Sequence, residues 1–368
     1  MWELYRRLPQ TEYVLAVGEH PLQAEFDRSH SLRLTRMPLH LADDRYASLA
    51  GCVGSLRAWR TLGQLGRSAG ARLTHAASAL PEGWLAMLLK LAYGWSYVCY
   101  AHGEELKLAR TGRMSSRQLR WMTRVVLHRA NLVIANSRNT ADILRSEWRL
   151  PATQVRVLHP GVDTEIFLPA ERLPEQRAEL GWDNRTVMLT VARLEKRKGH
   201  ERMIRALPDI RAAVPSLLYS VVGDGPRRSR LEEIARDHGV SEIVQFRGEV
   251  GDDELIRCYQ QSDLFVLPNL ALGGDIEGFG MVLLESQACG TPVVAGASGG
   301  TAETMSCPST GRLVASDDSA ELAGTVIDLL SDRDRLHRMR GAAREWVSQG
   351  FDWSLLVPEA VRLFSACT

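Results

Sequence analysis

From residue 186 onward the chain alternates two patterns. Short apolar runs rich in β-branched residues, such as TVMLTVA (186–192) and LLYSVV (217–222), give way to stretches whose apolar positions recur three and four residues apart. The first pattern predicts buried strands and the second amphipathic helices. Strands are predicted at 186–192, 217–222, 243–246, 264–267 and 292–295, and helices at 200–213, 227–238, 252–261, 281–288, 320–330 and 335–348. Turn signals separate them: Gly223-Asp224-Gly225-Pro226 closes one strand, and Gly239 stops one helix. Strands that alternate with helices call for a parallel sheet covered on both faces.

The first half repeats the alternation less cleanly. Strands are predicted at 13–17, 32–38, 73–76, 97–101 and 132–136, with helices at 55–68, 83–93, 115–130 and 137–148. Residues 155–169 and then 171–179 read as the connection between two domains. The chain opens on a helix-like segment, 2–8, whereas a doubly wound domain begins with a strand and a Gly-rich turn. No solenoid-period repeat or low-complexity tract interrupts the pattern.

A chain of 368 residues is long enough for two domains with separate cores. Hydrophobic content of 45% with 24% charged residues places it among globular proteins. The net charge of +1 hides an asymmetry. Residues 1–168 carry 22 basic and 14 acidic side chains (+8), and the remainder 23 and 30 (−7). The basic half suits peripheral contact with an anionic membrane surface or a charged acceptor, and equally an arginine-rich solvated surface.

The six cysteines form no CxxC pair and read as reduced thiols. The start lacks a long apolar leader, and the apolar stretch 84–101 is interrupted by Lys90 and Gly94, too short to span a bilayer. The expected location is cytoplasmic, with peripheral contact at the inner face of the membrane.

Two segments carry candidate chemistry. In Glu277-Gly278-Phe279-Gly280-Met281-Val282-Leu283-Leu284-Glu285, two carboxylates flank a glycine-containing turn that opens a helix. Such a helix start presents free N–H groups to a phosphate. Glu285 is placed to accept hydrogen bonds from vicinal hydroxyls, and Glu277 to hold a sugar. In Arg193-Leu194-Glu195-Lys196-Arg197-Lys198-Gly199, cations follow a strand end, where open α/β sheets bind ligands. Arg193 and Lys198 suit a diphosphate, one as a fork and the other as a point charge. Taken singly, an ordinary helix start and a solvated charge run are the plainer readings of these segments.

Together they resemble glycosyltransferase family 4 of the GT-B fold, including the phosphatidylinositol mannosyltransferases, over nearly the whole chain. The resemblance rests on Arg193 and Lys198, on the E-x7-E pair Glu277 and Glu285, and on the turn 223–226. It also rests on the loop Arg247-Gly248-Glu249-Val250 and on Gly299, Gly300 and Glu303. It implies an α/β, GT-B architecture of two Rossmann-like doubly wound domains facing a central cleft. Residues 1–168 would form the acceptor domain, with 351–368 crossing back to it. Residues 169–350 would form the nucleotide-sugar domain.

The implied activity is retaining, metal-independent transfer of a hexose to a glycan or lipid-linked acceptor. The donor would be a nucleotide-diphosphate sugar, GDP-mannose or a UDP-sugar, and no cofactor would be needed. Donor contacts would come from Arg193, Lys198, Gly223, Arg247, Val250, Glu277, Gly278, Phe279, Gly280, Met281, Val282 and Glu285. His102, in His102-Gly103-Glu104 after a strand, would reach the donor sugar near the reacting carbon. Ser137 of Ala135-Asn136-Ser137 reads first as a helix N-cap, and Pro160-Gly161-Val162-Asp163 as a hinge.

Other motifs point away from different chemistry. Asp332-Arg333-Asp334 lies between two C-terminal helices, away from any strand edge, so it is not read as a metal site. Gly223-x-Gly225 lacks the third glycine of a dinucleotide fingerprint. The scattered aromatics offer no platform for nucleic acid. The cationic and acidic pairs together argue against a sugar-nucleotide epimerase. Family members open on a strand and a Gly-Gly loop, both expected to be missing here. A catalytically inactive nucleotide-sugar-binding or assembly subunit is therefore the alternative reading.

Overall fold

The computed structural model describes residues 1–19, 23–29, 34–37, 49–103, 106, 117–315 and 317–367. It divides into two units: Met1–His159 with Leu356–Thr368, and Pro160–Leu355. The boundary falls at 159/160 where the sequence suggested 168/169, because Pro160–Asp163 is already bonded into the second unit. There the Val162 amide donates to the carbonyl of Phe351 at 2.9 Å.

In the second unit six parallel strands form one sheet. In chain order they are β7 (Thr186–Val191), β8 (Leu217–Val222), β9 (Val244–Gly248), β10 (Leu264–Leu267), β11 (Val293–Gly296) and β12 (Gly311–Val314). The spatial order is β12-β11-β10-β7-β8-β9. β8 and β10 are buried along their whole length, as central parallel strands demand. The connection runs outward from β7 to β9, then returns to place β10 on the other side of β7, with Leu264 opposite Met188. That reversal opens a crevice at the carboxyl ends of β7 and β10.

The two faces of the sheet support separate cores. One gathers Ile204, Leu207, Tyr219, Ile234 and Val326; the other gathers Trp182, Leu189, Tyr259, Phe265 and Leu283. The helices Asp252–Gln261 and Met281–Ala288 match their predicted limits.

The first unit contains two parallel sheets. β1 (Leu15–Gly18) pairs with β2 (Leu34–Met37). The second sheet has the order β3-β4-β5-β6, formed by Leu73–Ala76, Ser96–Ala101, Leu132–Ala135 and Val155–Val157. The opening helix is shorter than predicted, Trp2–Tyr5. The Tyr5 hydroxyl meets Nδ1 of His75, and the ring of Phe364, near the chain end, packs edge-on to His75 at 4.3 Å. Burial pushes the His75 imidazole down to about 4, so it is neutral near pH 7. The helix Leu49–Ser68 starts earlier than expected. Glu104, the predicted helix start at 115, and residues 32, 33 and 38 of one predicted strand lie outside the described residues.

Trp182 shows how tightly the second unit is packed. It is fully buried, and its indole N–H donates to Oε1 of Gln245 at 2.9 Å. Trp182→Ala is expected to cost about 3–5 kcal/mol, seen as a lower urea midpoint. An unchanged midpoint would show that this core does not depend on the indole.

Candidate active site

The loop after β7 reaches the crevice as a tight turn, Lys196–Lys198. Gly199 follows with φ +74°, and a Cβ there would lie 1.8 Å from the carbonyl oxygen of Pro268. Only glycine permits that approach, and it sets the cations against the loop after β10. The Leu270 amide donates to the carbonyl of Arg197 at 2.7 Å and ties the two loops together.

Side chains meet at this junction. Lys198 Nζ donates to Oε2 of Glu277 at 2.6 Å, and Arg197 Nη1 reaches the same oxygen at 3.1 Å. Arg197 Nε also lies 3.2 Å from Oδ1 of Asp275 and 3.9 Å from Glu195. Glu195 in turn pairs with Arg193 at 3.0 Å. Three cations and three carboxylates thus form one chain of ion pairs. Its inner members, Arg197, Lys198 and Glu277, are only 11–14% exposed, whereas Arg193 is 76% exposed. Burial pushes the Asp275 carboxyl upward, and Arg197 opposes that shift.

The backbone of Glu277 is held independently of its side chain. Its amide faces Oγ of Ser298 at 3.3 Å, and its carbonyl accepts the Gly300 amide at 2.9 Å. A Cβ at Gly299 would stand 1.9 Å from that carbonyl oxygen, so the loop after β11 clamps this residue from behind. Phe279 points the other way, into a cluster with Leu284, Ala288 and Phe351. Its ring is thus held in the core, and its backbone is what the turn presents. Gly278 and Gly280 continue the turn, and Gly280 caps the helix that begins with Met281 and Val282.

Glu285 does not join the ion-pair chain. It lies within the helix and accepts the hydroxyl of Tyr259 at 2.8 Å. Burial pushes its carboxyl above the ordinary carboxylate range. The Tyr259 hydrogen bond works against that shift, and Asp252 adds to it.

The remaining sequence-predicted residues are placed as follows. The Gly223 amide donates to Gly248 at 2.7 Å, at the ends of β8 and β9. The Arg247 guanidinium is occupied by structural partners, donating to Glu254 at 2.6 Å and to the carbonyl of Leu180 at 2.9 Å. Val250 packs against the core that contains Trp182.

In the first unit His102 is exposed just beyond β4, with Nε2 2.9 Å from the carbonyl of Ala77. Asn136 donates to the carbonyl of His102 at 3.0 Å, and Ser137 caps the helix Arg138–Ser146 by accepting the Thr140 amide at 3.1 Å. Asp332 is also a helix cap, accepting the Arg335 amide at 2.9 Å. Among the described residues no cluster of three or more His, Cys, Asp or Glu could hold a metal ion. No described helix is long and apolar enough to cross a membrane.

Sequence reasoning missed Arg197, Asp275 and Tyr259. Arg197 stood inside the quoted charge run, but strand-end spacing favoured Arg193. Only the tight turn brings Arg197 inward.

Comparison with known proteins adds to this geometry. Residues 173–346 match the family Glycosyl transferases group 1, and residues 1–166 match Glycosyltransferase Family 4. A GDP-mannose-dependent alpha-(1-6)-phosphatidylinositol monomannoside mannosyltransferase of Mycolicibacterium smegmatis is 35% identical over 75% of this chain and 72% of its own. A D-inositol 3-phosphate glycosyltransferase of Catenulispora acidiphila is 32% identical over 65% of this chain and 58% of its own.

Among solved structures, Anabaena Alr3699/HepE in complex with UDP and glucose superposes with a TM-score of 0.80 at 21% identity, covering 99% of this chain and 94% of that one. A Rickettsia africae glycosyltransferase gives 0.80 at 19% identity, covering 100% and 93%. With two Rossmann-like units, both halves matched and a relative aligned over most of its length, the chain belongs to glycosyltransferase family 4 and has the GT-B fold.

Proposed function

We propose that this chain transfers a hexosyl group from a nucleoside-diphosphate sugar, GDP-mannose before a UDP-sugar, to a lipid-linked or glycan acceptor. Transfer proceeds with retention and without a metal ion. One observation carries the reading: Lys198 and Arg197 converge with Glu277 at the reversal of the second sheet, where open α/β folds bind ligands. The choice of donor and acceptor rests on the names of the relatives.

In the reaction the bond between the anomeric carbon and the terminal phosphate breaks, and its electron pair stays with the diphosphate. Lys198, Arg197 and the exposed Arg193 supply positive charge for that group, beside the amides at the start of the helix Met281–Ala288. A diphosphate arriving there takes over cations now shared with Glu277, whose carboxylate then becomes available to sugar hydroxyls. Glu285 accepts hydroxyls of the nucleoside ribose. With Glu277 engaged by sugar hydroxyls, no described carboxylate of the ion-pair chain is left as a nucleophile, so attack occurs on the face the diphosphate leaves, and the leaving phosphate takes the acceptor proton. Peripheral binding of the basic first half to an anionic membrane would bring a lipid-linked acceptor within reach.

Lys198→Ala should lower kcat/KM for transfer from GDP-mannose by about 10²–10³-fold, and Arg193→Ala should lower it as well. Near-normal turnover in both would reject the phosphate assignment. Donor binding without transfer to any acceptor would favour the inactive-subunit alternative. Addition of EDTA should leave the rate unchanged, and dependence on added Mg²⁺ or Mn²⁺ would refute the metal-free mechanism.

Glu285 generates a separate prediction. A carboxyl with a raised folded-state pKa binds more protons folded than unfolded between its ordinary and raised values. Stability therefore falls as pH rises through that window. Glu285→Gln should be more stable than the parent at pH 7, and the difference should shrink as pH falls towards the ordinary carboxylate range. The same variant should bind GDP-mannose more weakly. Urea denaturation against pH and donor titration read the two effects, and a pH-independent difference would contradict the first.

A further inference from the structure

The second unit contains another cleft, of about 1010 Å³, at the opposite edge of its sheet from Glu277. Thr186, Ser216 and Asp263, at or just before the amino ends of β7, β8 and β10, form its floor. The length of β7 separates the two edges by roughly 20 Å. Five arginines and three carboxylates line the cleft.

Two of the arginines have structural partners that account for them. Arg177 donates to the carbonyls of Gln261 and Arg185, and Arg185 donates to those of Ser216 and Leu217. Arg340 is different. Its Nη1 is buried without any hydrogen-bond partner, whereas Arg172 donates to Asp263 and to the carbonyl of Ser262. Asp263, the carboxylate beside them, is already committed: one oxygen takes Arg172, and the other accepts the Val187 amide at 2.8 Å. Burial, with Arg172 adding to it, pushes the Arg340 guanidinium down to about 10. Arg340 is half-buried, and no backbone carbonyl uses its guanidinium.

We propose that this cleft binds a phosphate-bearing small molecule through Arg340, at a site separate from the donor edge. A guanidinium fork suits phosphate oxygens, and Arg340, which lines the cleft without a protein partner, is the fork it would engage. The volume matches pockets that take ligands up to nucleotide size. The site does not depend on the transferase reading, since it uses none of the residues at the carboxyl edge.

The test is titration of the full chain with inorganic pyrophosphate by calorimetry, in the parent, in Lys198→Ala and in Lys198→Ala/Arg340→Met. Lys198→Ala weakens binding at the carboxyl edge if the proposed function holds, and otherwise behaves as the parent. In either case it should retain saturable binding that Arg340→Met weakens about tenfold or more. Arg340→Met alone should melt no lower than the parent without ligand, because it breaks no hydrogen bond or ion pair to the protein. Arg340→Gln is the second variant should Met disturb packing. Absence of binding in Lys198→Ala, or binding unaffected by both Arg340 substitutions, would overturn the proposal.

Discussion

The carboxylate of Glu277, shared between Lys198 and Arg197 in a nearly solvent-free position, is the interaction around which the second unit's carboxyl edge is arranged. Buried ion pairs of this kind contribute little net stability, because desolvation offsets attraction. Their value lies in placement. Three loops from different strands are fixed relative to one another by contacts that tolerate almost no displacement, and the charged groups inherit that precision. The cluster is balanced, three cations against three carboxylates, so it holds positive charge ready without an unpaired cation accumulating before a ligand enters.

Backbone packing makes that balance rigid. Gly199 against Pro268 and Gly299 against Glu277 are approaches at which any side chain would collide. The anchoring of Phe279 in the core adds a third restraint. Loops usually adapt; these are closed against each other. Ionic partners can therefore be exchanged here at fixed positions with little movement of the chain.

Much of this was legible in the sequence. Apolar runs buried on both faces announced β7, β8 and β10, and the helices 200–213, 252–261 and 281–288 were readable to the residue. The strands missed were β6 and β12, three and four residues long, each carrying an arginine and each at a sheet edge where the apolar pattern is weakest. The helix Gln23–Ser29 was missed because its residues are mostly polar. At the site, residue types and approximate places were readable, but pairings were not. Arg197 turns inward only because of a short turn that spacing does not reveal. Glu285 looks like a partner of Glu277 in sequence, yet it finds Tyr259 on another helix. Arg247 looks like a ligand and is tied to Glu254.

The helix that carries Glu285 is buried over most of its circumference. Leu283 belongs to the core beneath the sheet, while Leu284 and Ala288 belong to the separate cluster around Phe351. A single segment thus forms a party wall between two packed interiors. A change of volume on either face is transmitted to both, and with it to the residues that flank the helix start. Divergence in specificity among such proteins should accordingly concentrate in the loops beyond this wall, leaving the wall itself as the slowest part of the site to change.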